Sequence, residues 1–111
     1  MAYPQQSRRE FGRRGEDLAA QYLVKRGYRI LARNWRCKLG EIDIIARAPE
    51  ALAFIEVKTM EGGDDFLPED HVTPDKQRRL AKLAFWYLNH ELHNIDQAYQ
   101  IDVVSVTVDP I

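Results

Sequence analysis

The chain has one cysteine, Cys37, among 111 residues. No internal disulfide can form, and a reducing, cytoplasmic location is the expectation. Apolar residues make up 45% of the sequence, yet no run approaches the ~18 consecutive apolar residues of a membrane span. The opening MAYPQQSRRE also lacks the apolar core of a secretory signal. Net charge is nearly absent too, at −1, so the overall balance alone does not point to nucleic acid. Repeats, low-complexity tracts and interdomain linkers are missing as well. This leaves a single small globular domain over residues 1–111, large enough for one core.

The distribution of charge says more than its sum. Residues 1–38 hold ten Lys or Arg against three acids, a net of +7; residues 39–75 hold two against ten, a net of −8. A basic docking surface beside an acidic metal pocket would have this asymmetry.

Residues 1–6 read as a loose tail. Ser7 and Glu10 have the spacing of a capping box, opening a helix that runs to about Arg26, where Gly27 is suited to a left-handed terminus. Phe11, Gly15, Leu18, Ala19, Tyr22 and Leu23 form its apolar stripe, with Glu16 on the border and Asp17 on the solvent side. Tyr28–Trp35 alternates as a strand, and residues 34–39 read as a polar connection. Two further strands, residues 41–46 and 53–59, flank the turn Ala48-Pro49-Glu50-Ala51. Ile42, Ile44, Ala46, Ala53, Ile55 and Val57 would share one apolar face against a helix. Residues 60–73 form a long acidic loop. Thr73, Pro74 and Asp75 then suit the N-cap and first turn of a second helix, with Leu80, Leu83, Ala84, Tyr87 and Leu88 buried and Arg78 and Arg79 turned outward. His90 and His93 have helical spacing but lack the further ligands that a zinc site requires. The β-branched segment Tyr99–Val108 closes an α-β-β-β-α-β order in which the third and fourth strands should be parallel.

The hairpin contains the oddity. If Arg47 pairs with Leu52, Asp43 faces Glu56 and Glu41 faces Lys58. Opposed carboxylates destabilise a sheet, but a divalent cation removes the repulsion; Mg2+ takes one or two carboxylates and keeps positions for water and phosphate oxygens. Lys58, two residues beyond Glu56, shares its face and can hold a water nucleophile or steady charge developing on a phosphate. Glu16 can join from the first helix and Gln77 from the second.

These residues resemble those of the PD-(D/E)XK nuclease superfamily, whose α-β-β-β-α-β core carries Asp on the second strand and E-x-K on the third. More closely, FGRRGEDLAAQYL, GYRILARNWR, GEIDIIA, FIEVKT, the helix start at Lys76 and IDVVSV resemble the YraN-like bacterial family, endonuclease-like and akin to archaeal Holliday junction resolvases. The resemblance implies a restriction-endonuclease-like α/β fold, with a mixed four-stranded sheet flanked by helices. It further implies metal-binding acids Glu16, Asp43 and Glu56, a catalytic Lys58, a supporting Gln77, and Mg2+ or Mn2+ as cofactor. Ile42 departs from the superfamily's usual proline before the aspartate. DNA, including branched DNA, would be the substrate, and a homodimer would serve two-strand cutting. Phosphate contacts would come from Arg8, Arg9, Arg13, Arg14, Arg33, Arg36, Lys38 and Lys76. A non-catalytic nucleic-acid-binding domain, or an adaptor with a relic site, are the other readings of the same fold.

Overall fold

The apolar alternation of the hairpin and the two amphipathic helices fold as an α/β/α sandwich. A computed structural model describes residues 5–62 and 73–108. The elements are α1 (Gln5–Lys25), β1 (Arg29–Cys37), β2 (Gly40–Arg47), β3 (Leu52–Glu61), α2 (Pro74–His90) and β4 (Tyr99–Val108). The sheet order is β1-β2-β3-β4, with the first two pairings antiparallel and β3–β4 parallel. Fold class and strand direction thus agree with the sequence reading. The helix α1 already includes Gln5 and Gln6, so it begins inside the expected tail. Likewise β3 takes in Met60 and Glu61 from the expected acidic loop, of which residues 63–72 lie outside the described residues.

The helix ends follow local chemistry. Gly27 adopts φ +91°, its N–H donates to the Val24 carbonyl, and the Tyr28 N–H reaches back to Leu23 at 3.0 Å. This is the Schellman arrangement, which satisfies carbonyls that the last turn would leave bare. At the start of α2, the Thr73 hydroxyl accepts from the Lys76 N–H at 3.2 Å, and Pro74 occupies the first turn.

Two apolar layers fill the sandwich. Ala19 and Leu23 of α1 cover Ile44, Ala46, Ala53 and Ile55 on one face of the sheet. Leu83, Ala84 and Leu88 of α2 cover Ile42, Ile45, Leu52 and Phe54 on the other. The expected α1 stripe is too wide: Leu18 and Tyr22 remain 43% and 49% exposed, lining an open cleft with residues 103–107 of β4. The packing is close where they do touch. A Cβ on Gly15 would overlap Thr59 Oγ1 and stand 2.6 Å from Thr59 Cγ2, so only glycine lets α1 lie this near β3.

One departure from strict alternation shapes everything near the candidate site. Alternation assigns Ile42 and Ile44 to the same face, yet Ile42 packs under α2 and Ile44 under α1. On the neighbouring strand Arg33 reaches α1 at Asp17, whereas Trp35 joins the α2 layer and meets Tyr87 edge-on, ring centroids 5.5 Å apart. Both strands therefore reverse faces at the same step, Asn34 opposite Asp43. The cause is local: Asn34 has φ +53°, a left-handed conformation that Asn tolerates better than most residues. A second irregularity lies between Ile30 and Ala32. The expected connection at residues 34–39 shrinks to Lys38-Leu39, since β1 continues until Cys37 pairs with Gly40. Cys37 is half-buried at this strand end, and its Sγ accepts from the Leu39 N–H at 3.4 Å.

Candidate functional site

The β2–β3 ladder follows the register set by Arg47 and Leu52 through Ile45–Phe54 to Ile44–Ile55. There it stops. One residue further, Asp43 and Glu56 are not paired through their backbones; instead the Asp43 side chain enters the gap and its Oδ2 accepts from the Val57 N–H at 2.8 Å. Two apolar strands that part at their open end, with a carboxylate capping the last exposed N–H, create a polar notch in an otherwise closed sheet.

Acids from three elements converge on this notch. Glu16, at the border of α1, and Asp43 both have pKa values above the ordinary carboxylate range. Burial is the main cause for each. For Glu16 the neighbouring charges of Asp43 and Glu41 add to it, opposed by Arg33 and by a hydrogen bond from Asn34. For Asp43 the Val57 N–H pulls the other way, while Glu41 and Glu56 raise it further and Arg79 lowers it. The sequence-derived trio Glu16, Asp43 and Glu56 is therefore coupled through Asp43, which feels the charge of Glu56 and acts on Glu16. Among the described residues, however, no three His, Cys, Asp or Glu groups form a cluster tight enough to enclose a metal ion. What is assembled is a notch with excess negative charge, built of the hard carboxylate oxygens that suit Mg2+ or Mn2+.

Glu56 has a different setting. Its side chain is only 16% exposed, and it meets Arg79 at 2.8 Å and Lys76 at 3.6 Å, both from α2. Arg79 stays exposed, as expected, but its guanidinium reaches back to the largely buried Glu56, a partner that the helix pattern alone does not show. Lys58 lies two residues on in β3, exposed, in register with Ser105 of β4. Gln77 does not join the carboxylates; with Lys76 it lines a cleft between α2 and β4 beside Ile101, Asp102 and Val103. Asp102 itself accepts from the Gln100 side chain at 2.8 Å.

Glu41 is the acid that sequence reasoning places wrongly. Strand register sets it opposite Lys58, but the β2–β3 ladder has ended by then, and Glu41 instead pairs with Arg36 of β1 at 3.4 Å. With the Asn34 amide oriented by its neighbours, its nitrogen donates to Glu41 Oε1 and Glu16 Oε1, each at 3.0 Å. A single left-handed Asn thus ties two repelling acids together beside Asp43. Its signal in the sequence is faint, one Asn inside a strand pattern where such residues are depleted.

The expected phosphate contacts divide into two sets. Arg33 pairs with Asp17 at 2.7 Å and approaches Glu16 at 3.9 Å, Arg36 holds Glu41, and Lys76 holds Glu56. The Lys38 ammonium lies 4.9 Å from the centre of the Trp86 ring. Arg8, Arg9 and Arg13 are exposed on α1 and Arg14 is half-buried there. No helix among the described residues is long and apolar enough to cross a membrane.

Comparison with known proteins finds close relatives in several bacteria. The chain is 41% identical over 101 residues to a UPF0102 protein of Caldicellulosiruptor bescii, covering 91% of this chain and 85% of that one. It is 44% identical over 99 residues to a UPF0102 protein of Syntrophus aciditrophicus, covering 89% and 77%. With a UPF0102 protein of Nocardia farcinica it shares 44% identity over 99 residues, again covering 89% and 77%. The model of the uncharacterised protein family UPF0102 matches residues 15–106, a span that includes Glu16, Asn34, Glu41, Asp43, Glu56 and Lys58, and the chain belongs to that family.

Proposed function

We propose that the chain is a metal-dependent nuclease of PD-(D/E)XK type, hydrolysing phosphodiester bonds in DNA, with branched or otherwise structured DNA as the favoured substrate. One observation carries the reading: the sheet opens at Asp43, and four acids crowd the opening although their charges repel. Arg36, Lys76, Arg79 and Asn34 offset part of that repulsion, yet burial and like charge still raise the pKa of Asp43 and Glu16, and a bound cation would relieve both. Support also comes from the sequence order, Asp43 on β2 followed by Glu56 and Lys58 on β3, which resembles the superfamily's Asp and E-x-K.

Mg2+, held by Asp43 with Glu56 or Glu16, would supply the Lewis acid that polarises a phosphoryl oxygen and acidifies water. The chain's own groups do the rest. Asp43 is fixed by the Val57 N–H, so its carboxylate is already oriented. Lys58 presents an ammonium to the water nucleophile or to the charge that grows on the phosphate oxygens. Arg79 and Lys76 balance Glu56 and contact the flanking phosphates. Water attacks phosphorus in line and releases a proton to solvent, the bond to the 3′ oxygen breaks, and that oxygen leaves with a proton from solvent.

A second reading has a specific observation behind it. Glu56 is already neutralised by two cations, as suits a nucleic-acid-binding domain of nuclease fold that does not cut. The two separate experimentally. Purified protein and its Asp43→Ala variant are incubated with branched, flapped, single-stranded and duplex DNA in Mg2+ or Mn2+. Cleavage by the native chain, reduced by at least ~100-fold in the variant, is expected. Binding without cleavage of any substrate favours the second reading, and equal cleavage by both proteins contradicts the first.

A further inference from the structure

The helix α2 carries a feature that the notch does not use. Arg79, Lys82, Trp86 and His90 follow at intervals of three, four and four residues and so share one stripe. The stripe begins at the guanidinium that holds Glu56 and ends at an aromatic cluster. There His90 stacks on Trp86, 3.8 Å between centroids and 15° between planes, and the Lys38 ammonium stands over the Trp86 ring. Phe85, beside it, is 55% exposed. Together Leu39, Ala81, Lys82, Phe85, Trp86 and His90 line a cleft of about 390 Å3 with an almost wholly apolar floor. Among the described residues no acid lines it, while Lys82 and Lys38 supply positive charge at its edge.

We propose that this cleft is a docking platform for single-stranded nucleic acid leading away from the notch, an inference that rests on the nuclease reading for its direction only. The exposed rings of Phe85 and His90 give bases a surface to stack on without regard to sequence, and flanking cations match the phosphates between them. The charge complementarity favours this occupant over an apolar protein surface. A cation–π contact leaves the N–H groups of Lys38 available, so the same ammonium can meet a phosphate. Arg79 and Trp86 stand seven helical positions apart, about 10 Å along the axis, so the strand would run one to two nucleotides beyond a phosphate at Arg79.

The test measures binding apart from cutting. A short labelled oligothymidylate is titrated with the full chain in EDTA, followed by anisotropy, against duplex DNA of equal length. Native protein should prefer the single strand. Phe85→Ala should weaken binding by about fivefold or more. Lys82→Glu should weaken it further and flatten its salt dependence, by roughly 0.7 in slope for each phosphate no longer neutralised. Both positions are exposed, and circular dichroism verifies that both variants fold. Unchanged affinity in both variants overturns the proposal. So does a Phe85→Ala chain whose binding is unaltered but whose sedimentation shifts from dimer to monomer, which would give the cleft to a second copy of the chain. Loss of the nuclease reading looks different: no cleavage with metal, yet EDTA binding that still depends on Phe85.

Discussion

Asp43 carries its charge at the expense of the fold. Its carboxylate, like that of Glu16, holds its proton more tightly in the folded chain than the ordinary values of 3.8 and 4.5 would give. The folded state therefore binds more protons than the unfolded one between those values and the raised ones. Stability of the metal-free chain should accordingly fall as pH rises through this window, and stay at the lower level above it. Asp43→Asn keeps an oxygen for the Val57 N–H and removes the charge. Relief of like-charge opposition is worth about 0.2–1 kcal/mol per pair, so this variant should melt a few degrees higher at neutral pH in EDTA, with the pH slope reduced. A lower melting temperature would mean that the carboxylate supports the fold. Asn34 has the opposite character. Asn34→Ala removes two hydrogen bonds to charged acceptors and leaves a left-handed backbone to a residue that resists it. Denaturant titration should show a loss of about 2–4 kcal/mol. Asn34→Gly, which relieves the backbone alone, should recover only part.

At the level of elements, the approach of α1 to β3 at Gly15 fixes where Glu16 sits. Gly15→Ala raises helix propensity, yet the added methyl overlaps Thr59. Thermal unfolding should report a net loss of about 1–3 kcal/mol, with Thr59→Ser restoring some of it. The same elements mark how far the sequence can be read. Period-two alternation with Ala48-Pro49-Glu50-Ala51 is enough to place β2, β3 and their register, because that register follows from turn length and apolar pattern together. Gly27 and Thr73-Pro74 announce the helix ends, since those residue types suit the unsatisfied groups there. Strict alternation then misplaces Ile42 and Glu41. One left-handed residue at Asn34 reverses two strands at once, and periodicity assumes that no such step occurs. The partner of Arg79 is missed because a helical wheel shows direction but not what stands opposite; Glu56 lies across a tertiary contact.

Taken whole, the molecule uses its charge asymmetry mostly at short range. The basic first third meets the acidic middle through Arg36 and Glu41, Arg33 stays with Glu16 and Asp17 of its own third, and α2 adds Lys76 and Arg79 against Glu56. The expected site acids Glu16, Asp43 and Glu56 come from strand spacing and family likeness, and in the fold Asp43 lies within electrostatic reach of the other two. The cations around them are legible as types but not as partners, because pairing depends on the tertiary approach of helix to sheet. That combination, repelling carboxylates fringed by cations, is the core of the metal-site account. Isothermal titration of Mn2+ into the native chain and into Asp43→Asn examines it most directly. The account predicts saturable binding to the native chain that weakens at least tenfold in the variant, a difference of about 1.4 kcal/mol. No binding to the native chain, or equal binding to both, would contradict it.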